Sequence, residues 1–470
     1  MDRLQQILDG IAGFVWGPWL LIPLLLLTGL WLTIKLRGIQ FRTLGPALRL
    51  ALLERKDQDA EGGDISQYQA LTTALAATVG VGNIVGVATA ISIGGPGALF
   101  WMWVTGLVGM ASKYSEAFLA VRFRTVDAKG NASGGPQYYL KKALPGNWGV
   151  ALSVIFAVFA VLASFGIGNM TQGNAVAENL LNSFNVPLQV SAVVMAVLVG
   201  LVILGGIRVI GTVTAALVPV MIVFYVLAAL YILIANIGDV PGALAQIFGQ
   251  AFTGTGMTGG ALGSFMLAVQ MGVARGIFSN ESGMGSAAIA AAAAKTTHPV
   301  RQGLVSMTQT FIDTIIVVSM TGLVLVTTGV WQEDASAAVL TSMAFSQGLP
   351  GNWGGYVVAI GVILFAFSTI LGWSYYGDRC VERLFGAKTT IFYRIAFTIV
   401  VYVGATIPLG IVWSFADIMN GLMALPNLVG LLILSGLIAR ETAHYLKNDP
   451  KLRAGRAEVD GFMADQAREP

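Results

Sequence analysis

The chain has 470 residues, of which 56% are hydrophobic and only 11% charged, with a mean hydropathy of +0.75. A soluble domain carries about 25% charge, so the composition excludes one and indicates a polytopic membrane protein. One cysteine (Cys380) and two histidines (His298, His444) leave no disulfide framework and no Cys/His metal site. The net charge of +3 decides little, because in a membrane protein the placement of charge matters more than its sum.

The start, Met1 to Gly13, holds Asp2, Arg3 and Asp9 and lacks the basic region of a signal peptide. The apolar run that follows, Phe14 to Ile34, is long enough to span and ends in Lys35 and Arg37, so it reads as a retained helix. Arg42 to Asp64 is basic and partly amphipathic (Leu48-Arg-Leu-Ala-Leu-Leu-Glu-Arg-Lys56), which suits the membrane surface. Further spans are expected at Ser66–Ile93, Ala98–Arg122, Trp148–Leu181, Pro187–Gly205, Val209–Asn236, Leu262–Ala292, Gln302–Gly329, Gly354–Leu384, Thr389–Pro408 and Trp413–Ala439, eleven in all.

The basic residues support that count. Lys and Arg fall in alternate loops: Arg122, Arg124, Lys129, Lys141 and Lys142; then Arg208; Lys295 and Arg301; Arg379, Arg383 and Lys388; Arg440 and the tail. The intervening loops, near Asn185, Asp239–Gly260, Gln332–Asn352 and Leu409, hold none. By the positive-inside rule the N-terminus faces out and the C-terminus is cytoplasmic.

Two spans are interrupted. Thr72-Thr-Ala-Leu-Ala-Ala-Thr-Val-Gly-Val-Gly-Asn-Ile-Val-Gly86 is apolar, yet Gly80, Gly82 and Asn83 sit at its centre. Each glycine costs roughly 1 kcal/mol relative to alanine inside a helix. Backbone freed within a bilayer persists only where it lines a cavity or is buried in protein. Gly272-Val-Ala-Arg-Gly-Ile-Phe-Ser-Asn-Glu-Ser-Gly-Met-Gly-Ser286 is the second, with four glycines, Asn280 and Glu281 in mid-span, followed by the small-residue run Ala287–Ala294. If the first helix is set aside, these are the first and sixth of ten spans. Corresponding broken helices in two halves of opposite orientation point to a transporter site.

The strings Ala74-Leu-Ala-Ala-Thr-Val-Gly-Val-Gly-Asn83, Gly134-Gly-Pro-Gln-Tyr-Tyr139 and Gly276-Ile-Phe-Ser-Asn-Glu-Ser-Gly-Met-Gly285 resemble the alanine or glycine:cation symporter family, over Phe14 to Ala439. The resemblance implies an all-α, LeuT-type five-plus-five inverted repeat preceded by one extra helix, in a bacterial-type plasma (inner) membrane. It divides the chain into 1–65 (extra helix and amphipathic segment), 66–240 (first repeat), 241–440 (second repeat) and 441–470 (cytoplasmic tail). It also implies a small neutral amino acid as substrate, Na⁺ as coupling ion, and neither nucleic acid nor an obligate protein partner.

The same resemblance assigns roles to residues. The backbone around Thr78, Gly80, Val81 and Gly82 is expected to hold the substrate, with the Val81 and Gly82 amides at a helix N-terminus receiving its carboxylate. The carbonyls of Ala76, Thr78 and Val79 suit a hard cation, and Asn83 adds an amide oxygen to the ion beside the carboxylate. Phe278 and Ser279 stand where acceptors for the ammonium group are expected. Ser368, Thr369 and the Phe365 carbonyl correspond to a second sodium site; the alternative for those hydroxyls is bonding back to their own helix. Phe165, Asn169 and Gln172 share a helical face, where Gln172 either bonds substrate or ties two helices together. Trp373 is expected to limit substrate size, packing or interface anchoring being the alternative.

Intramembrane charges are functional candidates by their cost. Glu281 reads either as a carrier of a coupling proton or as part of a structural ion pair or cap, with Arg275 either neutralising it or capping a half-helix. Lys113 and Glu116 are expected to pair near the cytoplasmic end of their span. Asp313 and Asp378 are placed toward cytoplasmic ends, without a transport role. The function expected is Na⁺ symport of alanine or glycine. A proton-coupled carrier of the same substrates and an uncoupled facilitator or channel are the alternatives, and an enzyme is not expected, since Cys380 lacks an intramembrane His partner.

Overall fold

The fold is that of a computed structural model describing residues 2–466 apart from 56, 58, 59, 61, 128, 129, 254–259, 352, 408 and 409. Lys129, Lys56, Asn352, Leu409, the end of the expected Thr389–Pro408 span and part of the Asp239–Gly260 loop thus lie outside the described residues. The principal helices are α1 (Asp2–Val15), α2 (Leu21–Lys35), α3 (Gln67–Thr78), α4 (Val85–Gly94), α5 (Gly97–Arg122), α6 (Gly146–Phe184), α7 (Leu188–Ile203) and α8 (Gly206–Ala235). They continue as α9 (Val240–Thr253), α10 (Gly260–Asn280), α11 (Ala287–Ala292), α12 (Pro299–Thr328), α13 (Ala337–Gly348), α14 (Trp353–Phe385), α15 (Thr390–Thr406), α16 (Gly410–Asn448) and α17 (Arg456–Gln466).

Among the described residues, α6, α8, α12, α14 and α16 are long and apolar enough to cross a bilayer singly, and the pair α3 and α4, bent by 63° at their break, makes a sixth span. Length and composition therefore support fewer spans than the eleven expected. The shorter apolar helices α2, α7 and α15 fall below that length, and α5 carries Lys113 and Glu116 in its body.

Several expected boundaries shift for identifiable reasons. The run Phe14–Ile34 is not one helix: it breaks between α1 and α2, where Gly17 and Pro18 interrupt it. The Asp239–Gly260 and Gln332–Asn352 loops are not irregular throughout. Each contains a helix with a buried face, α9 burying Ala243, Ile247 and Ala251 and α13 burying Leu340, Ala344 and Phe345. In the second interrupted span, helix persists through Gly272 and Gly276 to Asn280, so the break is confined to Glu281–Ser286. Gly276 serves packing instead: a Cβ there would lie 2.4 Å from Thr105 Oγ1 on α5.

The two interrupted spans are tied at their ends. Ile65, just before α3, pairs in parallel with Ala294, just after α11, and the Lys295 amide donates to the Ile65 carbonyl at 2.8 Å. Below them, Arg301 at the start of α12 binds Asp57, Asp449, the Tyr445 hydroxyl and the Ala454 carbonyl, clasping these segments together. A second cluster joins Arg379 to Asp127, Asp378 and Glu382, with Arg394 on Asp378. Asp378 therefore lies near a span end, as expected.

Candidate functional site: the two helix breaks

The first break arises because α3 cannot continue past Thr78. Val79 has ψ of 88°, outside the helical range, and the Gly80 amide turns to Asn83 Oδ1 at 2.9 Å. In a continuous helix that amide would bond the Ala76 carbonyl. The Ala76 carbonyl instead receives the hydroxyls of Ser368 at 3.3 Å and Thr369 at 3.1 Å, from α14. Both hydroxyls also donate to the Phe365 carbonyl, at 2.8 and 3.0 Å. The hydroxyls thus bond back to their own helix, as in the alternative reading, and also reach across to the break.

Close approach of α14 to α3 makes this possible. A Cβ on Gly372 would lie 2.6 Å from Ala77 Cβ, and one on Gly80 would lie 2.4 Å from Thr369 Oγ1. Ala76, Val79, Phe365, Ser368 and Thr369 are all buried. The atoms that meet here are the hydroxyl oxygens of Ser368 and Thr369 and the carbonyl oxygens of Ala76 and Phe365, the kind of donor a hard cation takes.

Beyond the break, a single turn of tighter helix, Val81–Asn83, leads into α4. The Val81 amide is 3.4 Å from Gln172 Oε1, whose Nε2 donates to the Ile167 carbonyl. Gln172 therefore reaches the break while also bonding its own helix. Phe165 and Asn169 do not accompany it. A wide turn over Gly166–Met170 rotates α6 there, so that Phe165 packs on Tyr393 and Phe397 and Asn169 donates to the Phe397 carbonyl.

Val81, Gly82 and Phe278 line a cavity of about 640 Å³ that runs along α6 to Ser183 and under α13 to Ser346. It is a vestibule that ends on the first break. Its inner wall is aromatic, with Phe278 stacked on Trp413 at 6.0 Å between ring centres. Trp373 is not part of that lining; it is fully buried and its Nε1 donates to Glu281 Oε1 at 2.8 Å.

Asp313 lies midway along α12, not toward an end, and its carboxylate joins the two interrupted spans. It accepts from Asn83 Nδ2 at 2.7 Å, Ser279 Oγ at 2.9 Å and Thr314 Oγ1 at 2.8 Å. Thr78 belongs to the same cluster, its hydroxyl donating to the Ala74 carbonyl and accepting from Gln309 Nε2 at 2.9 Å. The expectation for Asp313 fails because its helix runs from Pro299 to Thr328, which leaves the residue at mid-length, inside the wide turn Phe311–Val318.

The second break is held by side chains. Glu281 has φ of +54°, the left-handed region that non-glycine residues avoid. Lys113 Nζ donates to the Glu281 carbonyl at 2.9 Å, Asn427 Nδ2 to the Gly283 carbonyl at 2.8 Å, and the Gly285 amide to Glu116 Oε1 at 3.0 Å. The Glu281 carboxylate takes Trp373 and, at 2.5 Å, the Ser286 hydroxyl. Lys113 and Glu116 do pair, at 3.8 Å, both fully buried. Arg275 does not neutralise Glu281: it sits 3.9 Å from Asp417 and over the Phe278 ring. Six residues on a helix amount to about 240° of rotation, so the two side chains leave on different faces. Lys113 is legible in the sequence as a charge in mid-span; its partner across the fold is not.

Two broken helices bracketing a buried oxygen cluster at the foot of a vestibule define a secondary transporter of the LeuT fold. The fold is similar to that of MhsT solved in complex with L-phenylalanine, with a TM-score of 0.56 and 14% identity, covering 82% of this chain and all of that one. The sodium:alanine symporter family matches residues 1–459, and the chain belongs to that family, one of transporters and not of enzymes. It is 51% identical to the sodium/alanine symporter AgcS of Methanococcus maripaludis over 95% of this chain and 99% of that protein. It is 36% identical to the probable sodium/glutamine symporter GlnT of Bacillus subtilis, over 94% and 92%.

Proposed function

We propose that this protein imports alanine or glycine together with Na⁺, with its N-terminus outside, its C-terminus cytoplasmic and the vestibule opening outward. The observation that carries the reading is the Ala76 carbonyl, released by its own helix and met by Ser368 and Thr369. With an ion present these oxygens, the Phe365 carbonyl and the Val79 carbonyl turn their lone pairs to it and fix α14 against α3. That holds the break in the shape that offers the Val81 and Gly82 amides to a carboxylate, with Phe278 and Ser279 receiving the ammonium group. Coupling is then reciprocal: Na⁺ raises amino-acid affinity by the factor by which the amino acid raises Na⁺ affinity.

Phe278 and Trp413 wall the vestibule beside Gly82 and set the size of side chain admitted. Trp373 acts from behind, through Glu281. Rocking of one helix bundle against the other would open the opposite end, releasing the clasps at Arg301 and Arg379. The test is Ser368→Ala with Thr369→Ala: alanine uptake should lose its dependence on Na⁺ while the protein remains folded. Unchanged sodium activation would remove this site.

A further inference from the structure

The carboxy-terminal segment after α16 has no part in the reading above, yet it is built into the end of the molecule opposite the vestibule. α12 runs between those ends: Ser336 and Ser346, past its last residue, line the vestibule, whereas Arg301 stands in its first turn. The buried Arg301 guanidinium gathers separate stretches of chain. Its Nη1 meets Asp57 at 3.3 Å, its Nε donates to the Tyr445 hydroxyl at 2.8 Å, and its Nη2 donates to Asp449 at 3.0 Å and to the Ala454 carbonyl at 2.6 Å. Asp57 also accepts the amide and the hydroxyl of Thr297, both at 2.8 Å. Asp57 comes eight residues before Ile65, and Thr297 three after Ala294, the pair that ties the two interrupted spans. The cluster therefore sits at the entrance to α3.

The chain beyond Asp449 is folded around that guanidinium. The Asp449 carboxylate accepts the amides of Arg453 at 2.8 Å and Ala454 at 3.1 Å, closing a turn in which Leu452 is buried at φ of +57°. Left-handed backbone at a leucine persists only where its surroundings impose it. Arg49, in the amphipathic segment before α3, donates to the Lys451 carbonyl. α17 then folds back on α16, with Val459 buried, the Phe462 ring 5.5 Å from that of Tyr445, and the Phe462 carbonyl 2.8 Å from His444 Nε2. The tail thus touches the amphipathic segment, α12 and α16 together. α17 itself is held by little, since Val459 alone among its described residues is buried. An element with few buried apolar contacts at the chain end opens far below the free energy of global unfolding.

Resting on the alternating-access reading above, we propose that residues 449–466 form a latch that keeps the end opposite the vestibule closed. Docked, the tail completes the shell of Arg301, which holds Asp57 and so seats the entrance of α3. Undocked, it takes two of that shell's oxygens with it, and a buried guanidinium stripped of partners is costly. Arg301 then turns to water, Asp57 is released, and the run from Asp57 to Ile65 is free to move with α3. Release of the tail sets how often that end opens without altering either helix break.

The experiment times thiol labelling of the purified full-length protein by a membrane-impermeant maleimide, in K⁺ buffer without Na⁺ or amino acid. Ala70→Cys places a reporter on a buried position of α3, and the buried Cys380 is the one native thiol. Val459→Asp and Phe462→Ala, each added separately, undock α17 while the chain stays whole. The expected result is that Val459→Asp speeds labelling of the reporter about tenfold, as for a minor open state made more populated, and Phe462→Ala less, while Cys380 stays unlabelled in both. An unchanged rate in folded Val459→Asp overturns the latch. So does labelling of Cys380 in step with the reporter, which marks general loosening. If Val459→Asp fails to fold, Phe462→Ala decides, and an unchanged rate there overturns the proposal. Alanine uptake by the parent in proteoliposomes is measured alongside: its failure to respond to Na⁺ overturns the symport reading and leaves the labelling result to judge the latch alone.

Discussion

The two interrupted spans share glycines and a central Asn, yet they end in opposite states. The first break, at Gly80–Asn83, faces the vestibule and leaves its backbone on offer: the Val81 amide has only a 3.4 Å contact with Gln172. The second, at Glu281–Ser286, is fastened from three sides by Lys113, Glu116, Asn427 and Trp373. The difference follows from the neighbours. The backbone of the first break meets hydroxyls on α14, which exchange partners at little cost, and the buried Asp313 reaches this break only through the Asn83 side chain. Buried charges on α5 meet the second, where removal of one partner exposes the other to the full cost of desolvation. A binding element and an anchor are thus built from the same kind of interruption.

Filling the open break should have the largest effect. A Cβ on Gly82 would already be 3.0 Å from the Phe278 ring, so Gly82→Leu should abolish alanine uptake without blocking membrane insertion; near-normal uptake would refute the backbone cradle. At the anchored break, Lys113→Met leaves Glu116 and the Glu281 carbonyl without their cation. Unfolding in detergent should register a loss of about 3–5 kcal/mol, with part recovered when Glu116→Gln is added. An unchanged melting curve would mean that charge does not hold this break. Trp373→Phe removes a single hydrogen bond to a carboxylate, worth about 1.5–3 kcal/mol, and should lower stability more than it changes the Na⁺ requirement. The smallest effect is expected for Gly80→Ala, whose Cβ would press on Thr369 Oγ1 at 2.4 Å. Half-maximal activation should need about tenfold more Na⁺, equivalent to ~1.4 kcal/mol, and an unchanged sodium curve would separate Thr369 from the ion.

Much of the open break is legible in the sequence, because Gly80, Gly82 and Asn83 violate helix propensity locally, and Ser368-Thr369 stands out as paired hydroxyls in an apolar run. What escapes the sequence lies across the fold or depends on helix phase. The wide turns at Gly166–Met170 and Phe311–Val318 insert extra backbone into their helices, so residues spaced three or four apart no longer share a face. Phe165 and Asn169 are turned away from Gln172 for that reason, and Asp313 is turned toward the break. The one signal for Asp313 is its charge in the middle of an apolar run. Arg275 misleads because it is near Glu281 in sequence but paired with Asp417, which sits on another helix. The helices α9 and α13 hide in loops that lack the length of a span, although their apolar residues recur at helical spacing.

The central claim is that the first break binds an amino acid only when sodium holds α3 to α14. Its most direct test is uptake of labelled alanine into proteoliposomes containing the purified protein, under an inward Na⁺ gradient and under an equal K⁺ gradient. Concentrative uptake with Na⁺ and none with K⁺ is the predicted result. Equilibration without accumulation, indifferent to either ion, would contradict it and leave a facilitator; accumulation driven by a proton gradient alone would contradict it as well.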